Sequence, residues 1–201
     1  MLVAGIKSRP VYGGLNVDKH ARRHLFVLEG EGALALTDQV KAAGPDFLTH
    51  ADILYVATGS AAHEHDKTLA KLGADTCWVA PTIPVLLNRL NVMLGQAHMG
   101  AHIYVAGTEG FIGQAMQVAM NHGVDPASVH TEHRGSTARR VQCVHCKGIT
   151  DHVTTSPYTC THCGLSLLVR DHYSRRIGAF QGVCIDAEEP GTAPKPEELF
   201  P

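Results

Sequence analysis

The chain has 201 residues, of which 44% are hydrophobic and 18% are charged, and its net charge is −2. This size allows one medium domain with a small second one. Residues 1–140 carry twelve Lys and Arg against twelve Asp and Glu, and residues 141–201 carry five against seven. This balance argues against a nucleic-acid partner, because phosphate binding needs a positive surface. The sequence has no run of eighteen apolar residues and its first residues do not resemble a signal peptide, so we expect a cytoplasmic protein without membrane contact.

Short apolar runs alternate with longer amphipathic ones from Leu25 to about His130. The pattern predicts strands at 25–28, 53–57, 77–79 and 102–106, and helices at 33–42, 61–72, 83–95 and 111–121. Such alternation is typical of α/β proteins in which helices cover both faces of an open parallel sheet. Ligands of these sheets bind at the carboxyl ends of the strands. The loops after the first, second and fourth strands are therefore candidate binding loops.

Composition divides the chain into four parts. Residues 1–24 are expected either to dock a partner or to pad the sheet, residues 25–138 to form the α/β domain, and residues 139–186 to form a small β-rich zinc ribbon. Residues 187–201 are acidic and contain prolines, so we expect an extended tail with little to pack against.

Four cysteines form two matching C-x-x-C pairs in the ribbon. They are Cys143 and Cys146, then Cys160 and Cys163, with thirteen residues between the pairs. Two facing C-x-x-C turns can deliver four thiolates to one tetrahedral metal ion. Gly164 and the sequence Lys147-Gly148 offer positions for the tight turns that such pairs need. The spacing therefore predicts a metal site, with the remaining cysteines, Cys77 and Cys184, as small buried side chains.

Thiolate ligands of this kind bind either zinc or a single rubredoxin-like iron. Zinc is favoured because the residues between the pairs are polar, without the proline and aromatic shell that protects a redox iron. A structural zinc would stabilise the fold of a segment with a sparse core. His145 and His162 lie between ligand cysteines, and we expect neither to bind the metal.

The loop after the first predicted strand reads G-x-G-x-x-A and opens a helix. Its candidate nucleotide-binding residues are Gly30, Glu31, Gly32 and Ala33. Glycines at these positions let a pyrophosphate approach backbone N–H groups at a helix start. Glu31 would repel a phosphate unless its side chain points away. A purely structural tight turn is the alternative.

Two further loops carry polar residues and glycines at strand ends. The second loop contains Thr58, Gly59 and Ser60 where many dinucleotide-binding folds have an acidic residue for the ribose. The fourth loop contains Gly107, Thr108, Glu109, Gly110 and Phe111. Hydroxyl groups in the second loop are compatible with a 2′-phosphate, as in NADPH. Alternatively, the glycines only allow close packing of strand and helix.

The segment from Tyr104 to Ile112, followed by residues 123–132, resembles the nucleotide-binding domain of ferredoxin–NADP reductase-like proteins that supply oxygenases. The resemblance implies NADPH binding at the three loops. It departs from the family at Ala106, where a cysteine is common. The family also has a flavin-binding barrel before this domain, and too few residues precede it here. A hydride from the nicotinamide would therefore go to a flavin on a partner chain.

The ribbon and residues 169–182 with 186–191 resemble the DmmA-like family of dimethylamine monooxygenase subunits. The resemblance implies one component of an NADPH-dependent oxidative N-demethylase that converts dimethylamine and oxygen into methylamine and formaldehyde. It further implies that partner subunits hold the haem, the FMN and an iron–sulfur cluster, with the haem on one partner and the flavin and iron–sulfur groups on a reductase partner. We expect no catalytic residue in this chain. The alternatives are a scaffold subunit with a degenerate nucleotide site and an iron-containing electron carrier.

Overall fold

The computed structural model describes residues 8–59 and 62–201, without the side chains of residues 62 and 63. The chain forms two compact units. The α/β unit is Tyr12–Gly135, and the cysteine unit combines residues 8–11 with Ser136–Pro201. Within the described ranges, no helix has the length and apolar character needed to cross a membrane.

The α/β unit contains a five-stranded parallel sheet with order β3-β2-β1-β4-β5. The strands are β1 Arg23–Glu29, β2 Ala51–Val56, β3 Thr76–Ala80, β4 Ala101–Gly107 and β5 Val129–His133. The helices are α1 Gly32–Ala43, α2 Ala62–Ala70, α3 Ile83–Gly95 and α4 Glu109–Asn121, with 3₁₀ turns at Asp46–His50 and Pro126–Ser128. The order of strands reverses between β1 and β4. In open α/β sheets this reversal creates a crevice at the carboxyl ends of the two strands.

Apolar side chains cover both faces of the sheet, as the continuous apolar strands predict. One cluster includes Val27, Leu54 and Val105, and α3 and α4 pack onto it. The other includes Phe26, Tyr55 and Tyr104, and α1 covers it. This burial on both faces confirms the predicted α/β fold with a parallel sheet.

Most predicted elements of the α/β unit are longer in the structure by one or two residues at an end, but α2 ends at Ala70 rather than at residue 72 and β2 ends at Val56 rather than at residue 57. The structure also adds one strand. Helix α3 has the predicted bounds, because three leucines share its buried side and the hydroxyl of Thr82 caps its first turn. Strand β5 has no counterpart in the predicted pattern. Its sequence, VHTEH, has a single fully buried residue, Val129, and therefore lacks the apolar run of the other strands.

Residues 12–20, which we call the strap, pack with the sheet rather than apart from it. Leu15 is completely buried among the side chains of the α1 face. The backbone N–H of Gly14 donates to the carbonyl oxygen of Thr131 on β5 at 3.0 Å. Of the two expectations for the N-terminal segment, padding of the sheet therefore describes these residues. Residues 1–7, where the rest of that expectation falls, lie outside the described part of the chain.

The cysteine unit is a β structure with one five-stranded and one two-stranded sheet, of order β7-β6-β11-β10-β9 and β12-β8. Its strands are β6 Arg139–Cys143, β7 Ile149–Val153, β8 Thr155–Ser156, β9 Tyr158–Thr159, β10 Ser166–Ser174, β11 Ala179–Cys184 and β12 Glu197–Glu198. Cys143 and Cys160 belong to its hydrophobic core, together with Val141, Leu167 and Phe180. Two of the four predicted metal ligands are thus part of the small core, and Cys163 packs against it.

The C-terminal segment packs more than its composition predicts. Strand β12 pairs with β8, and the ring of Phe200 lies 4.0 Å from the guanidinium of Arg139. That guanidinium also lies 4.0 Å from the ring of Phe180 and donates to Asp171 at 2.8 Å. A buried arginine between two aromatic rings therefore holds the end of the tail.

Candidate functional site

The four predicted ligand cysteines converge in the cysteine unit. Their sulfur atoms all lie within 4.8 Å of one another. Two pairs, Cys143 with Cys163 and Cys146 with Cys160, are 3.8 Å apart. Four sulfurs at about 2.3 Å from a tetrahedral ion would be separated by about 3.8 Å, whereas disulfide sulfurs are about 2.05 Å apart. The residues present therefore fit a tetrahedral metal ion.

The two cysteine turns have the same hydrogen-bond pattern. The carbonyl oxygen of Cys143 accepts from the N–H of Lys147, and that of Cys160 accepts from the N–H of Gly164, both at 3.0 Å. Lys147 and Gly164 occupy equivalent positions with φ of 63° and 76°. The left-handed residue of the first turn is therefore Lys147 and not its neighbour. Gly148 is needed for a different reason, because a Cβ there would overlap the ring of His162.

Backbone N–H groups favour thiolates in this cluster. Burial raises the pKa of Cys160, but hydrogen bonds from the backbone of His162 and Cys163, together with the neighbouring thiols of Cys163 and Cys146, lower this pKa to about 7. The N–H of Gly148 lies 3.4 Å from the sulfur of Cys146. Such N–H donors stabilise the negative charge that thiolates keep on a metal ion.

The histidines between the cysteines have other surroundings. The Nε2 atom of His162 lies 2.9 Å from the carbonyl oxygen of Ile149. Among the described residues, the group of side chains able to hold a metal contains the four cysteines without His145 or His162. That neither histidine binds the metal stays a prediction.

The three predicted nucleotide loops meet at the carboxyl edge of the sheet. A Cβ at Gly30 would lie 2.6 Å from Oγ1 of Thr58, so the first and second loops touch. A Cβ at Gly32 would overlap the carbonyl group of Ala106 and lie 2.9 Å from the amide nitrogen of Gly107. The start of α1 therefore rests on the backbone of β4. Glycine is needed at Gly32 by packing alone, whatever binds at the edge.

The remaining loop residues surround this point. Ala33 is buried in the first turn of α1, and Glu31 precedes that helix without making a side-chain cap. Gly59 has a φ of 82°, with open space beside it. Gly110 and Phe111 lie in the first turn of α4, where Phe111 is buried. Ser60 lies outside the described residues.

Glu29 is a residue of this edge that the sequence pattern does not single out. It is the last residue of β1, and 3% of its surface is exposed. Its Oε2 atom accepts from the backbone N–H of Thr108 at 2.9 Å and from the hydroxyl of Thr108 at 2.6 Å. A carboxylate therefore lies in the crevice between β1 and β4 and takes two donors of the fourth loop. An acidic residue directly before the G-x-G sequence is the signal that could have revealed it.

The edge around Glu29 is acidic. Tyr12 in the strap donates its hydroxyl to Glu109 at 2.9 Å, and Glu132 accepts from the N–H of Leu15 at 3.1 Å. Arg134 is bound to Glu132 and to Asp38, and its hydrogen bond with Glu132 raises its pKa. The positive charge of Arg134 is therefore already paired with two carboxylates.

Tyr55 is buried below the first loop. Its hydroxyl lies 3.4 Å from the carbonyl oxygen of Gly30. Burial, with smaller contributions from Asp66 and Glu29, raises the pKa of Tyr55 to about 12. Tyr55 therefore stays protonated and neutral near neutral pH, and its role is to support the turn.

Comparisons with known proteins place this geometry in context. The family described as "Dimethylamine monooxygenase subunit DmmA-like, N-terminal domain" matches residues 4–129, and the corresponding C-terminal domain matches residues 140–183. A relative from Ectopseudomonas mendocina (strain ymp), "Heme-dependent oxidative N-demethylase delta subunit", is 32% identical over 142 residues, which are 68% of this chain and 81% of that protein.

Solved structures with a similar α/β arrangement include "Ferredoxin reductase in carbazole 1,9a-dioxygenase (FAD apo form)", with 17% identity and a TM-score of 0.40 over 62% of this chain. The FAD/NAD-binding domain of a nitric oxide dioxygenase from Vibrio cholerae has 17% identity and a TM-score of 0.41 over 60% of the chain. The chain spans 34% and 54% of the lengths of these two structures.

The matches to both halves of the sequence confirm the resemblance that the ribbon and its flanking residues indicate. The chain belongs to the dimethylamine monooxygenase subunit DmmA-like family.

Proposed function

We propose that this chain is the scaffold subunit of a heteromeric, haem-dependent oxidative N-demethylase, acting on dimethylamine or a related methylamine. The name of its relative, a delta subunit, supports membership of an assembly with other chains. In this proposal the partner subunits carry the haem, the FMN and the iron–sulfur cluster. The α/β unit keeps the reductase-like sheet but has lost the ability to hold a pyridine nucleotide.

The observation that carries this proposal is the carboxylate of Glu29 in the crevice between β1 and β4. A pyrophosphate at such an edge needs free backbone N–H donors and a positive local potential. Here the N–H and hydroxyl of Thr108 already donate to a carboxylate. Glu31 adds a further negative charge at the start of α1. Both charges disfavour a ligand with several negative charges.

The strap provides a second observation. The Tyr12 ring stacks on His133, the last residue of β5, with ring centroids 5.8 Å apart. Its hydroxyl reaches Glu109 in the first turn of α4. A side chain of the protein itself therefore covers part of the edge at which a nucleotide would bind.

The second candidate function is an NADPH-binding module that passes a hydride to the flavin of a partner. It is favoured by Gly30, which has a φ of 49° two residues before α1, and by the absence of a side-chain cap on that helix. Under this hypothesis the three loops, including Thr58 and Gly59, hold the nucleotide after Glu31 turns away. The chain alone would still have no acceptor for the hydride.

The metal site supports a structural role under either function. Two of its sulfurs, those of Cys143 and Cys160, belong to residues of the hydrophobic core. We propose zinc, which has no redox chemistry and would hold the two cysteine turns together. A rubredoxin-like iron is the alternative, and the visible absorbance of the purified chain separates the two. A colourless protein with one zinc per chain would exclude the electron carrier.

Reconstitution of the demethylase tests the scaffold function. The complex is assembled with wild-type chain, with Glu31→Lys, or with Glu188→Lys, a control that makes the same charge change at an exposed residue of the cysteine unit. We expect the Michaelis constant for NADPH to change less than about twofold in both variants, since the nucleotide binds elsewhere. Omission of the chain should reduce the assembly to smaller particles by native mass spectrometry.

The same experiment can overturn the proposal in favour of NADPH binding. A lysine beside a bound phosphate would strengthen binding by about 1 kcal/mol or more, which is about fivefold or more in the Michaelis constant. Such a change in Glu31→Lys, without one in Glu188→Lys, would assign the nucleotide to this edge. An intact assembly of the other subunits without this chain would refute the scaffold role.

A further inference from the structure

Three histidines and a tyrosine lie together on the face of the sheet that carries the strap. His24 of β1 is paired in register with His102 of β4, and Tyr104 of β4 is paired with His130 of β5. Tyr104 stacks on His130 with ring centroids 5.0 Å apart, and His102 stacks on His130 at 6.2 Å. These positions are near the amino ends of the strands, opposite the acidic carboxyl edge.

The strap connects this histidine cluster to the carboxyl edge. At its lower end, the N–H of Asp18 donates to the hydroxyl of Tyr104 at 3.1 Å, and the carboxylate of Asp18 lies 3.8 Å from Nε2 of His102. In its middle, the side chain of Leu15 is completely buried. At its upper end, Tyr12 donates to Glu109. The strap therefore runs from the histidine cluster to the carboxyl edge, where Tyr12 also packs against the cluster of the α3–α4 face, and it has an anchor at each end.

His24 is the most enclosed member of the cluster. Only 2% of its surface is exposed, and Phe26, Phe47 and Tyr104 surround its ring at centroid distances of 5.6–6.2 Å. Its Nδ1 atom lies 3.3 Å from the hydroxyl of Tyr104, the same hydroxyl that accepts from the strap. A proton on His24 would thus appear beside a strap anchor, in a site with little access to water.

The charged groups around His24 oppose such a proton with one exception. His102 and the exposed His50, in the 3₁₀ turn, repel it, whereas the Asp18 carboxylate attracts it. Burial is the largest effect and lowers the pKa of His24. Burial and His102 likewise lower the pKa of His130, against a smaller attraction from Asp18.

Asp18 is held in place by its own turn. Its Oδ1 atom accepts from the N–H of His20 at 2.8 Å, and this hydrogen bond lowers its pKa. Asp18 therefore stays ionised in mild acid. It is the carboxylate that attracts a proton on either His24 or His130, so protons on both rings would share a single negative charge.

We propose that the strap is an acid-released latch, in which protonation of His24 and His130 detaches residues 12–20 from the sheet. Release gives the two imidazolium rings access to water and separates the hydroxyl of Tyr104 from the N–H of Asp18. It also withdraws Tyr12 from the carboxyl edge. Protonation of histidines near the amino ends of the strands would thus uncover the carboxyl edge. This proposal does not depend on the scaffold function, because the groups that take up protons, His24 and His130, lie away from the metal ligands and from the candidate nucleotide loops.

The expected size follows from proton linkage. When the strap is closed the pKa of each histidine is lowered, and when the strap is open it is about 6.5. Lowering the pH from 7.5 to 5.5 then raises the population of the open form by at most about tenfold for each such histidine. The sign is fixed by the lowered pKa values, since the open form binds more protons, and the latch weakens as the pH falls below about 6.5.

Hydrogen exchange followed by mass spectrometry tests the latch on the full, zinc-loaded chain. Exchange is measured at pH 7.5, 6.5 and 5.5 and corrected for the intrinsic effect of pH on the exchange rate. We expect peptides covering residues 12–20 to lose protection about tenfold or more between pH 7.5 and 5.5. Peptides of α3, on the other face of the sheet, serve as the reference and should keep their protection.

Two variants separate titration from loosening. His24→Phe keeps an aromatic ring among Phe26, Phe47 and Tyr104 but binds no proton, so the pH effect on the strap should shrink about tenfold. Leu15→Ala removes the central anchor, so it should lower the protection of the strap equally at pH 7.5, 6.5 and 5.5. Where His24→Phe does not fold, His130→Gln at the partly exposed edge serves the same purpose.

Three results would overturn the latch. The first is equal protection of the wild-type strap at pH 7.5 and 5.5. The second is an acid effect that persists undiminished in both His24→Phe and His130→Gln. The third is an equal loss of protection in α3, because it would indicate unfolding of the whole unit rather than release of the strap.

Discussion

Replacement of Gly32 by alanine tests whether the first glycine-rich loop is built for packing. The added Cβ would overlap the carbonyl of Ala106 and stand 2.9 Å from the amide nitrogen of Gly107. Both neighbours are backbone atoms of β4, a central strand, and cannot rotate away as a side chain could. The start of α1 must therefore move from the sheet.

The chain supplies a matched control at Gly95. This glycine is the last residue of α3, and a Cβ there would meet only Cε1 of His122, at an ordinary distance of 3.7 Å. Alanine favours a helix over glycine by about 1 kcal/mol at interior positions and by less at an end. Gly95→Ala should therefore leave the free energy of unfolding unchanged or raise it by a few tenths of a kcal/mol.

The expected cost at Gly32 comes from overpacking. Forced insertion of a carbon into a packed interior costs about 1–3 kcal/mol, and a rigid backbone neighbour places this site at the upper end. Because Gly32 is the first residue of α1, helix propensity offsets only a few tenths of a kcal/mol, and we expect a net loss of about 2.5 kcal/mol. With a urea dependence of about 2 kcal/mol per molar, the midpoint of unfolding should fall by about 1 M.

Tryptophan fluorescence in urea measures this loss in the α/β unit alone. The chain has one tryptophan, Trp78, which lies in β3. A midpoint for Gly32→Ala equal to or above that of Gly95→Ala would refute the reasoning. It would mean that the helix start has room, so that the glycine is better explained by the approach of a ligand.

Three other changes should have specific effects. Cys146→Ser should abolish binding of one zinc per chain and unfold the cysteine unit while the Trp78 signal persists. The control Cys184→Ser should retain the metal. Metal analysis and circular dichroism check both variants, and full zinc in Cys146→Ser would contradict the ligand assignment. Glu29→Ala should destabilise the α/β unit by about 1–3 kcal/mol, because two donors of Thr108 lose their acceptor. Glu29→Gln should destabilise it by less than about 1 kcal/mol. Equal urea midpoints for the two variants would argue against these hydrogen bonds. Arg139→Ala should destabilise the cysteine unit by about 2 kcal/mol or more in thermal unfolding and release the ring of Phe200. Arg139→Lys should have an intermediate effect, since lysine keeps the charge but cannot stack as a planar group. A lysine variant as stable as the wild type would show that the charge alone suffices.

The sequence predicts the parts of the fold in which local pattern and tertiary packing agree. Helix α3 is predicted with its observed bounds because its leucines recur at helical spacing along one side, and this side is buried in the structure. The convergence of the four cysteines is predicted from spacing, and their sulfurs meet at distances that suit one ion. Strand β5 escapes prediction because its side chains are mostly polar and its place is set by pairing with β4.

The candidate site is less predictable because its decisive contacts are distant in the chain. Glu29 meets Thr108, 79 residues later, so a single loop does not reveal that its carboxylate takes the donors of another. The strap is similar, since Leu15 becomes a core residue only when the sheet is assembled. Spacing within one segment indicates which atoms can bind a metal, but a pocket built from several segments depends on side chains that approach across the sheet.

The cysteine unit is assembled from two separated stretches of polypeptide. The N–H of Ser8 donates to the carbonyl of Asp171, and the N–H of Tyr173 donates back to Ser8, while Arg9 also pairs with Asp171. The whole α/β unit is thus an insertion between the two stretches. During synthesis on the ribosome, residues 8–11 cannot pair with β10 until β10 has emerged. By that time the α/β unit can already have folded. Expression of residues 136–201 as a separate fragment would lack this short edge and should give a less protected β10.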